Sequence, residues 1–163
     1  MKVSKFINKG IVKGAGQMKM KNRLNYFKVA PKAMEKIMDL ESYVKKTSID
    51  KKMQELIKIR VSQINGCSYC LNMHTKAAKK LKVKDELIDQ LPDWNESDLY
   101  SAEEKIVFEL AENMTRIMES GVSDSLYQRV REHYDEKEYV NLIIINQINM
   151  WNRLSIAMGN TAE

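Results

Sequence analysis

The chain has 163 residues, which is enough for one domain with a buried core. Hydrophobic residues at 44% and charged residues at 30% are typical of a soluble globular protein. The net charge of +5 comes from the N-terminal arm, because nine of the 27 Lys and Arg residues and none of the 22 acidic residues precede Ala33. The rest of the chain therefore carries −4, which argues against nucleic-acid binding by the domain.

Residues 1–22 are predicted to form a basic N-terminal extension, and residues 23–163 the helical domain. The arm has neither the apolar block of about 7–15 residues nor the small-residue cleavage site of a secretory signal. Residues 140–158 are the most apolar segment, but six Asn, Gln and Arg side chains make them too polar for a membrane span. We therefore expect a cytoplasmic protein without membrane contact.

Apolar residues recur at helical spacing along the chain, which predicts an all-α fold. Residues that favour helix starts precede several of these stretches: Pro31, Ser48 or Asp50, Ser101 with Glu104 as a capping box, and Ser123. In chain order, helices are predicted over residues 32–46, from the Ser48 or Asp50 cap to 63, 67 to about 82, 85–90, from 101 to before Gly121 with Ile117 and Met118 in its apolar set, 123 to about 133, and 135–158.

The last of these segments also resembles a strand, because residues 140–145 are rich in β-branched side chains. No other part of the chain offers a partner strand, and an unpaired strand is not stable. We therefore predict one long helix that is central or lies at a subunit interface.

The only two cysteines, Cys67 and Cys70, lie at the predicted start of a helix, directly after an Asn65-Gly66 turn signal. In a helix, these two residues and His74 share one face. A helix N-terminus stabilises a thiolate, a disulfide between positions i and i+3 is geometrically possible, and an imidazole can carry the proton. In a reducing compartment, such a pair indicates a redox or metal site.

The preceding helix contributes a candidate base. If the chain reverses at Asn65-Gly66, antiparallel packing places Glu55 opposite His74, so that Glu55 can fix the imidazole tautomer and relay protons. The alternative is that Glu55 forms a solvent-exposed ion pair with Lys51 or Lys58.

Other interpretations stay open at this point. His74 can be a buried core histidine, and the cysteines can be buried apolar residues. A zinc site is the main chemical alternative, with the ligands Glu55, Cys67, Cys70 and His74, although structural zinc sites usually recruit a second pair far along the chain. His133 is expected on the surface, and Trp94 and Trp151 are expected to serve in packing.

The chain resembles the alkylhydroperoxidase D-like (AhpD-like) branch of the carboxymuconolactone decarboxylase family over about residues 23–159. The resemblance is carried by Glu55, Arg60 to Cys70, His74, Leu91, Trp94, and Ile148 to Leu154. It implies an all-helical fold with the CxxC motif at the N-terminus of a core helix, and assembly as trimers or hexamers. Tyr69 stands where the best-known peroxidase members carry a second histidine.

The resemblance also implies peroxide reduction by Cys67 and Cys70, with His74 and Glu55 as the proton relay and no metal or organic cofactor. Members that decarboxylate muconolactone lack this cysteine pair. We therefore predict a thiol-dependent peroxidase of small hydroperoxides that is reduced by an external dithiol, either a lipoyl group or a thioredoxin-like protein. The alternatives are a non-enzymatic thiol-disulfide redox sensor, and a decarboxylase or isomerase of the same family.

Overall fold

A computed structural model describes residues 23–119 and 121–160, so the predicted basic extension, residues 1–22, lies outside the described residues. The elements are α1 (Tyr26–Val29), α2 (Pro31–Val44), α3 (Lys51–Asn65), α4 (Ser68–Lys80), α5 (Asp85–Gln90), a 3-10 helix (Leu91–Asp93), α6 (Ala102–Thr115), α7 (Asp124–Arg131), α8 (Glu136–Ile148) and α9 (Met150–Ala157). The described ranges contain helices and no strands, which confirms the predicted all-α class.

Polar side chains start the helices at several of the predicted positions. Asp50, and not Ser48, caps α3 by accepting hydrogen bonds from two backbone N–H groups. Ser101 and Glu104 form the predicted capping box of α6, and Ser123 caps α7. Each such cap contributes about 1 kcal/mol to helix stability.

The predicted helix over residues 135–158 is wrong as a single element, because it is divided at Asn149. The Asn149 side chain is buried, and its Nδ2 donates to the backbone carbonyl of Lys58 at 3.1 Å. Its own backbone N–H donates to the carbonyl of Asn146 at 3.1 Å. This hydrogen bond spans three residues instead of the four of an α-helix, as in a 3-10 turn. A contact with another helix therefore ends α8.

The helix before Gly121 is shorter than predicted, since α6 ends at Thr115. The carbonyl of Ala111 accepts hydrogen bonds from the side chains of Thr115 and Asn146. Ile117 and Met118 were expected to extend the apolar stripe but are 56% and 96% exposed. Within the described residues, no apolar surface covers Ile117 and Met118, so the helix gains nothing by continuing through them.

Helix α3 lies at the centre of the described residues and packs against α4, α6, α8 and α9. Its side chains Ile57 and Ile59 are buried in one apolar cluster with Phe108 from α6 and Ile145 from α8. Complete burial of such a side chain contributes about 1.5–3 kcal/mol. This packing holds α3 firmly, and α3 in turn positions α4.

Glu112 on α6 joins two other parts of the fold. Its Oε1 accepts hydrogen bonds from Arg60 Nε at 2.5 Å and from Trp94 Nε1 at 2.7 Å. We expect Glu112→Ala to lower the free energy of unfolding by about 2 kcal/mol, because a largely buried guanidinium loses its carboxylate partner. Urea unfolding checks this, with Glu112→Gln as the control that keeps an acceptor oxygen and loses less. Equal losses in both variants would attribute the whole effect to the charge, whereas a Glu112→Gln protein as stable as the wild type would contradict the importance of the charge.

No helix within residues 23–119 and 121–160 is long and apolar enough to cross a membrane.

Candidate active site

The turn between α3 and α4 has the geometry that the Asn65-Gly66 pair predicts. Gly66 has a φ of 67°, in the left-handed region that favours glycine at the end of a helix. The N–H of Cys67 then donates to the carbonyl of Ser62 at 3.0 Å, which closes the end of α3. As a result, α4 begins directly beside α3 and runs back along it.

Cys67 and Cys70 lie at the start of α4 and form a disulfide, with a distance of 5.4 Å between their Cα atoms. Cys67 is the N-cap residue of α4, and its Sγ accepts the N–H of Cys70 at 3.3 Å. The two residues are 2% and 0% exposed. The sulfurs are thus within bonding reach at a helix N-terminus, as the spacing predicts. Tyr69, between them, is 39% exposed.

His74 lies four residues after Cys70, on the same face of α4, and is 6% exposed. Its Nδ1 is 2.9 Å from Oε2 of Glu55 on the neighbouring helix. The structure therefore brings together all four residues predicted for the site, while their chemical roles stay predictions. Among the residues described, no group of three or more His, Cys, Asp or Glu side chains is arranged to hold a metal ion.

Lys58 is the residue of this site that the sequence reasoning missed. The sequence predicts it as a solvent-exposed partner of Glu55, but it is 2% exposed and therefore buried. Its Nζ lies 3.4 Å from Glu55 Oε1 and 3.5 Å from Glu41 Oε2. A signal was available, because Glu41 stands at an apolar position of the preceding helix, where a carboxylate needs a cation.

The electrostatics around Glu55 favour its ionised form. Burial alone raises the pKa of the Glu55 carboxyl, but the hydrogen bond with His74 and the positive charge of Lys58 together outweigh burial and lower this pKa below its ordinary value. Glu55 is therefore an anion at neutral pH and accepts hydrogen bonds without donating. It can hold a proton on the imidazole but has no proton of its own to supply.

This lowered pKa has a consequence for stability. A carboxyl whose pKa is lower in the folded state than in the unfolded state stabilises the fold at pH values above its ordinary pKa of 4.5. This contribution is lost as the pH falls through the folded-state pKa. We expect the advantage of the wild type over Glu55→Gln in free energy of unfolding to be constant near neutral pH and to shrink below about pH 4.5. Urea unfolding of both proteins at a series of pH values checks this, and an advantage that grows in acid would contradict it.

Three further polar side chains, of which Ser62 and Asn152 are buried, support the turn between α3 and α4. Asn152 Nδ2 donates to Ser62 Oγ at 3.3 Å, and Asn65 Nδ2 donates to Asn152 Oδ1 at 3.1 Å. Asn152 is completely buried. These bonds tie the start of α9 to the end of α3, so the position of the disulfide depends on residues nearly ninety positions away in sequence.

The profile of the carboxymuconolactone decarboxylase family matches residues 31–113, a range that contains Glu55, both cysteines and His74. The chain belongs to this family. The resemblance inferred from the sequence is therefore confirmed.

Two proteins of similar length resemble this family member along most of the chain. The uncharacterized protein YdfG of Bacillus subtilis is 54% identical over 144 residues, which cover 88% of this chain and 98% of YdfG. The solved structure of ATU0492 from Agrobacterium tumefaciens, a protein of unknown function linked by name to the antioxidant defence protein AhpD, has a TM-score of 0.83 and 32% identity. That match covers 88% of this chain and 99% of ATU0492.

A more distant structure shares the fold. The alkylhydroperoxidase AhpD core of an uncharacterized peroxidase-related protein from Ralstonia eutropha matches with a TM-score of 0.74 at 17% identity, over 84% of this chain and 74% of that protein. The AhpD-like helical fold is thereby confirmed. Assembly as a trimer or hexamer stays a prediction.

Proposed function

We propose that this member of the carboxymuconolactone decarboxylase family is a thiol-dependent peroxidase that reduces small hydroperoxides. The supporting observation is the 2.9 Å bond between Glu55 and His74, one helical turn beyond the disulfide of Cys67 and Cys70. It pairs an ionised carboxylate with an imidazole that lies on the same face of α4 as the sulfur of Cys70. The proposed reaction uses no metal or organic cofactor.

In the first step, the thiolate of Cys70 attacks one oxygen of the hydroperoxide. A bond between sulfur and oxygen forms as the O–O bond breaks, so Cys70 is oxidised to a sulfenic acid and the peroxide is reduced. The leaving alkoxide or hydroxide takes a proton from His74 and departs as an alcohol or water. Glu55 stabilises the positive charge that the imidazole carries before it gives up this proton.

In the second step, the thiol of Cys67 attacks the sulfenic sulfur of Cys70. The disulfide forms, and the hydroxyl group leaves as water after it receives the thiol proton. An external dithiol then reduces the disulfide by thiol–disulfide exchange and becomes a disulfide itself. The bonded cysteines of the structure correspond to the state that awaits this reduction.

The burial of the disulfide favours one class of electron donor. Because neither cysteine is more than 2% exposed, a donor has to insert its thiol between surrounding side chains. A slender dithiol, such as a lipoyl group on a flexible arm, meets this requirement more easily than the flat surface of a thioredoxin-like protein. We therefore rank the lipoyl group first.

The test is steady-state consumption of hydrogen peroxide and cumene hydroperoxide by the full chain, with dihydrolipoamide, dithiothreitol or reduced thioredoxin as donor. We expect many turnovers per chain with at least one dithiol. One oxidation per chain followed by a stall would instead indicate a redox sensor. An activity on a small carbon acid that survives loss of both cysteines would indicate a decarboxylase or isomerase.

A further inference from the structure

We propose that Lys58 is a positioning residue: its ammonium group, held between Glu41 and Glu55, fixes the orientation and charge of the carboxylate that orients His74. The catalytic meaning of this inference rests on the proposed peroxidase function. Its electrostatic content does not, because the state of the Glu55 carboxyl can be measured without any turnover.

The burial of Lys58 shows that its charge is matched inside the protein. The side chain is 2% exposed, and moving an unpaired ammonium group from water to such a place costs several kcal/mol. Two carboxylates offset this cost, with Oε2 of Glu41 at 3.5 Å and Oε1 of Glu55 at 3.4 Å from Nζ. Since α2 supplies the first and α3 the second, Lys58 also holds two helices together.

The two oxygens of Glu55 have separate partners. Oε1 faces the ammonium of Lys58, and Oε2 faces Nδ1 of His74. The carboxylate is therefore held from both sides and cannot rotate without losing one contact. If Lys58 were absent, Oε1 would lose its cation, and the bond with His74 alone would not fix the plane of the group.

Charge balance leads to the same conclusion. Glu55 contacts Lys58 of α3 and His74 of α4, and Lys58 in turn contacts Glu41 of α2. The junction of α8 and α9 contributes the neutral Asn149, which bonds the Lys58 carbonyl, and Glu112 of α6 is paired with Arg60. Without the ammonium group, two partly buried carboxylates would lie close together with no cation between them, and one of them would bind a proton more readily.

An anionic Glu55 determines how His74 works. Because a carboxylate only accepts hydrogen bonds, the imidazole nitrogen that faces it, Nδ1, carries a hydrogen. The other nitrogen, Nε2, is then the one that exchanges protons with the thiols and the leaving oxygen. A neutral Glu55 could donate to Nδ1 and reverse this arrangement, so Lys58 selects the imidazole tautomer from a distance.

The test compares Lys58→Met with Lys51→Met, which removes an exposed lysine four residues before Glu55 on the same helix. The Glu55 carboxyl is followed by NMR in protein labelled with carboxyl-¹³C glutamate, and Glu55→Gln assigns its resonance. We expect the titration midpoint of Glu55 to rise by about 1–3 pH units in Lys58→Met and to stay unchanged in Lys51→Met. Lys58→Arg should restore the low midpoint.

A second variant keeps the test informative where Lys58→Met does not fold. Lys58→Met/Glu41→Gln removes both members of the outer ion pair and is expected to show an upward shift that is smaller than in Lys58→Met, because the second carboxylate is also absent. In peroxide turnover, the pH below which activity falls should rise together with the Glu55 midpoint.

A Glu55 midpoint that is unchanged without Lys58, or that moves equally in Lys51→Met, would overturn the proposal. The NMR shift in a protein without peroxide turnover would support the role of Lys58 and reject the peroxidase function.

Discussion

Replacement of Cys70 by serine is expected to abolish peroxide turnover, with a loss of about 10³-fold or more. The reaction requires a thiolate, and a serine hydroxyl stays protonated and is a far weaker nucleophile for the O–O bond. Cys70 is completely buried, and serine is similar in shape, so the fold should persist. Steady-state peroxide consumption with a dithiol donor measures the loss, and circular dichroism verifies the fold.

Cys67→Ser is the matched control for this prediction. We expect that variant to consume one equivalent of peroxide per chain and then to stop, because the sulfenic acid on Cys70 has no thiol to resolve it. Dimedone labelling followed by peptide mass spectrometry locates the sulfenic acid. Label on Cys67 in the Cys70→Ser protein would mean that the two cysteines have the opposite roles.

This control is needed because the structure offers each sulfur a different advantage. Cys67 caps α4, where the helix dipole and the N–H of Cys70 favour a thiolate. Cys70 lies one turn before His74, which can take its proton and return it to the leaving oxygen. We assign the attack to Cys70 because proton delivery to the leaving group has to occur at the same place as the attack.

His74→Gln is expected to lower kcat by about 10²–10⁴-fold while the disulfide of the oxidised protein still forms. Glutamine can keep a hydrogen bond with Glu55 and fill similar space, but it cannot exchange a proton near neutral pH. The measurement is kcat with saturating dithiol, together with a thiol titration of the oxidised protein.

The second histidine of the chain provides the control. His133 is exposed and follows the end of α7, as the sequence predicts for a surface residue, so His133→Gln should leave kcat unchanged. A wild-type rate in His74→Gln would remove the imidazole from the mechanism. It would leave the cysteine chemistry to be judged by the Cys70 variants.

The local part of this structure could be predicted from residues close together in sequence. Helical periodicity, Asn65-Gly66 and the capping box at Ser101 predict the helices and the reversal between α3 and α4 within about two residues of the observed limits, apart from α6 and the last helix. The pairing of Glu55 with His74 also follows from sequence, because it requires only two antiparallel helices and a tight turn. The short helix α1 was not predicted, since four residues carry too little periodic signal.

The amino-acid sequence by itself thus determined the all-α class, the hairpin that carries the site, and the positions of the two sulfurs and the imidazole. The tertiary structure decided the burial of Lys58, the division of the last helix at Asn149, and the exposure of Met118. The physical reason is one of range. A turn or a cap is stabilised by hydrogen bonds to residues a few positions away, whereas a lysine becomes buried only where distant helices supply carboxylates and exclude water.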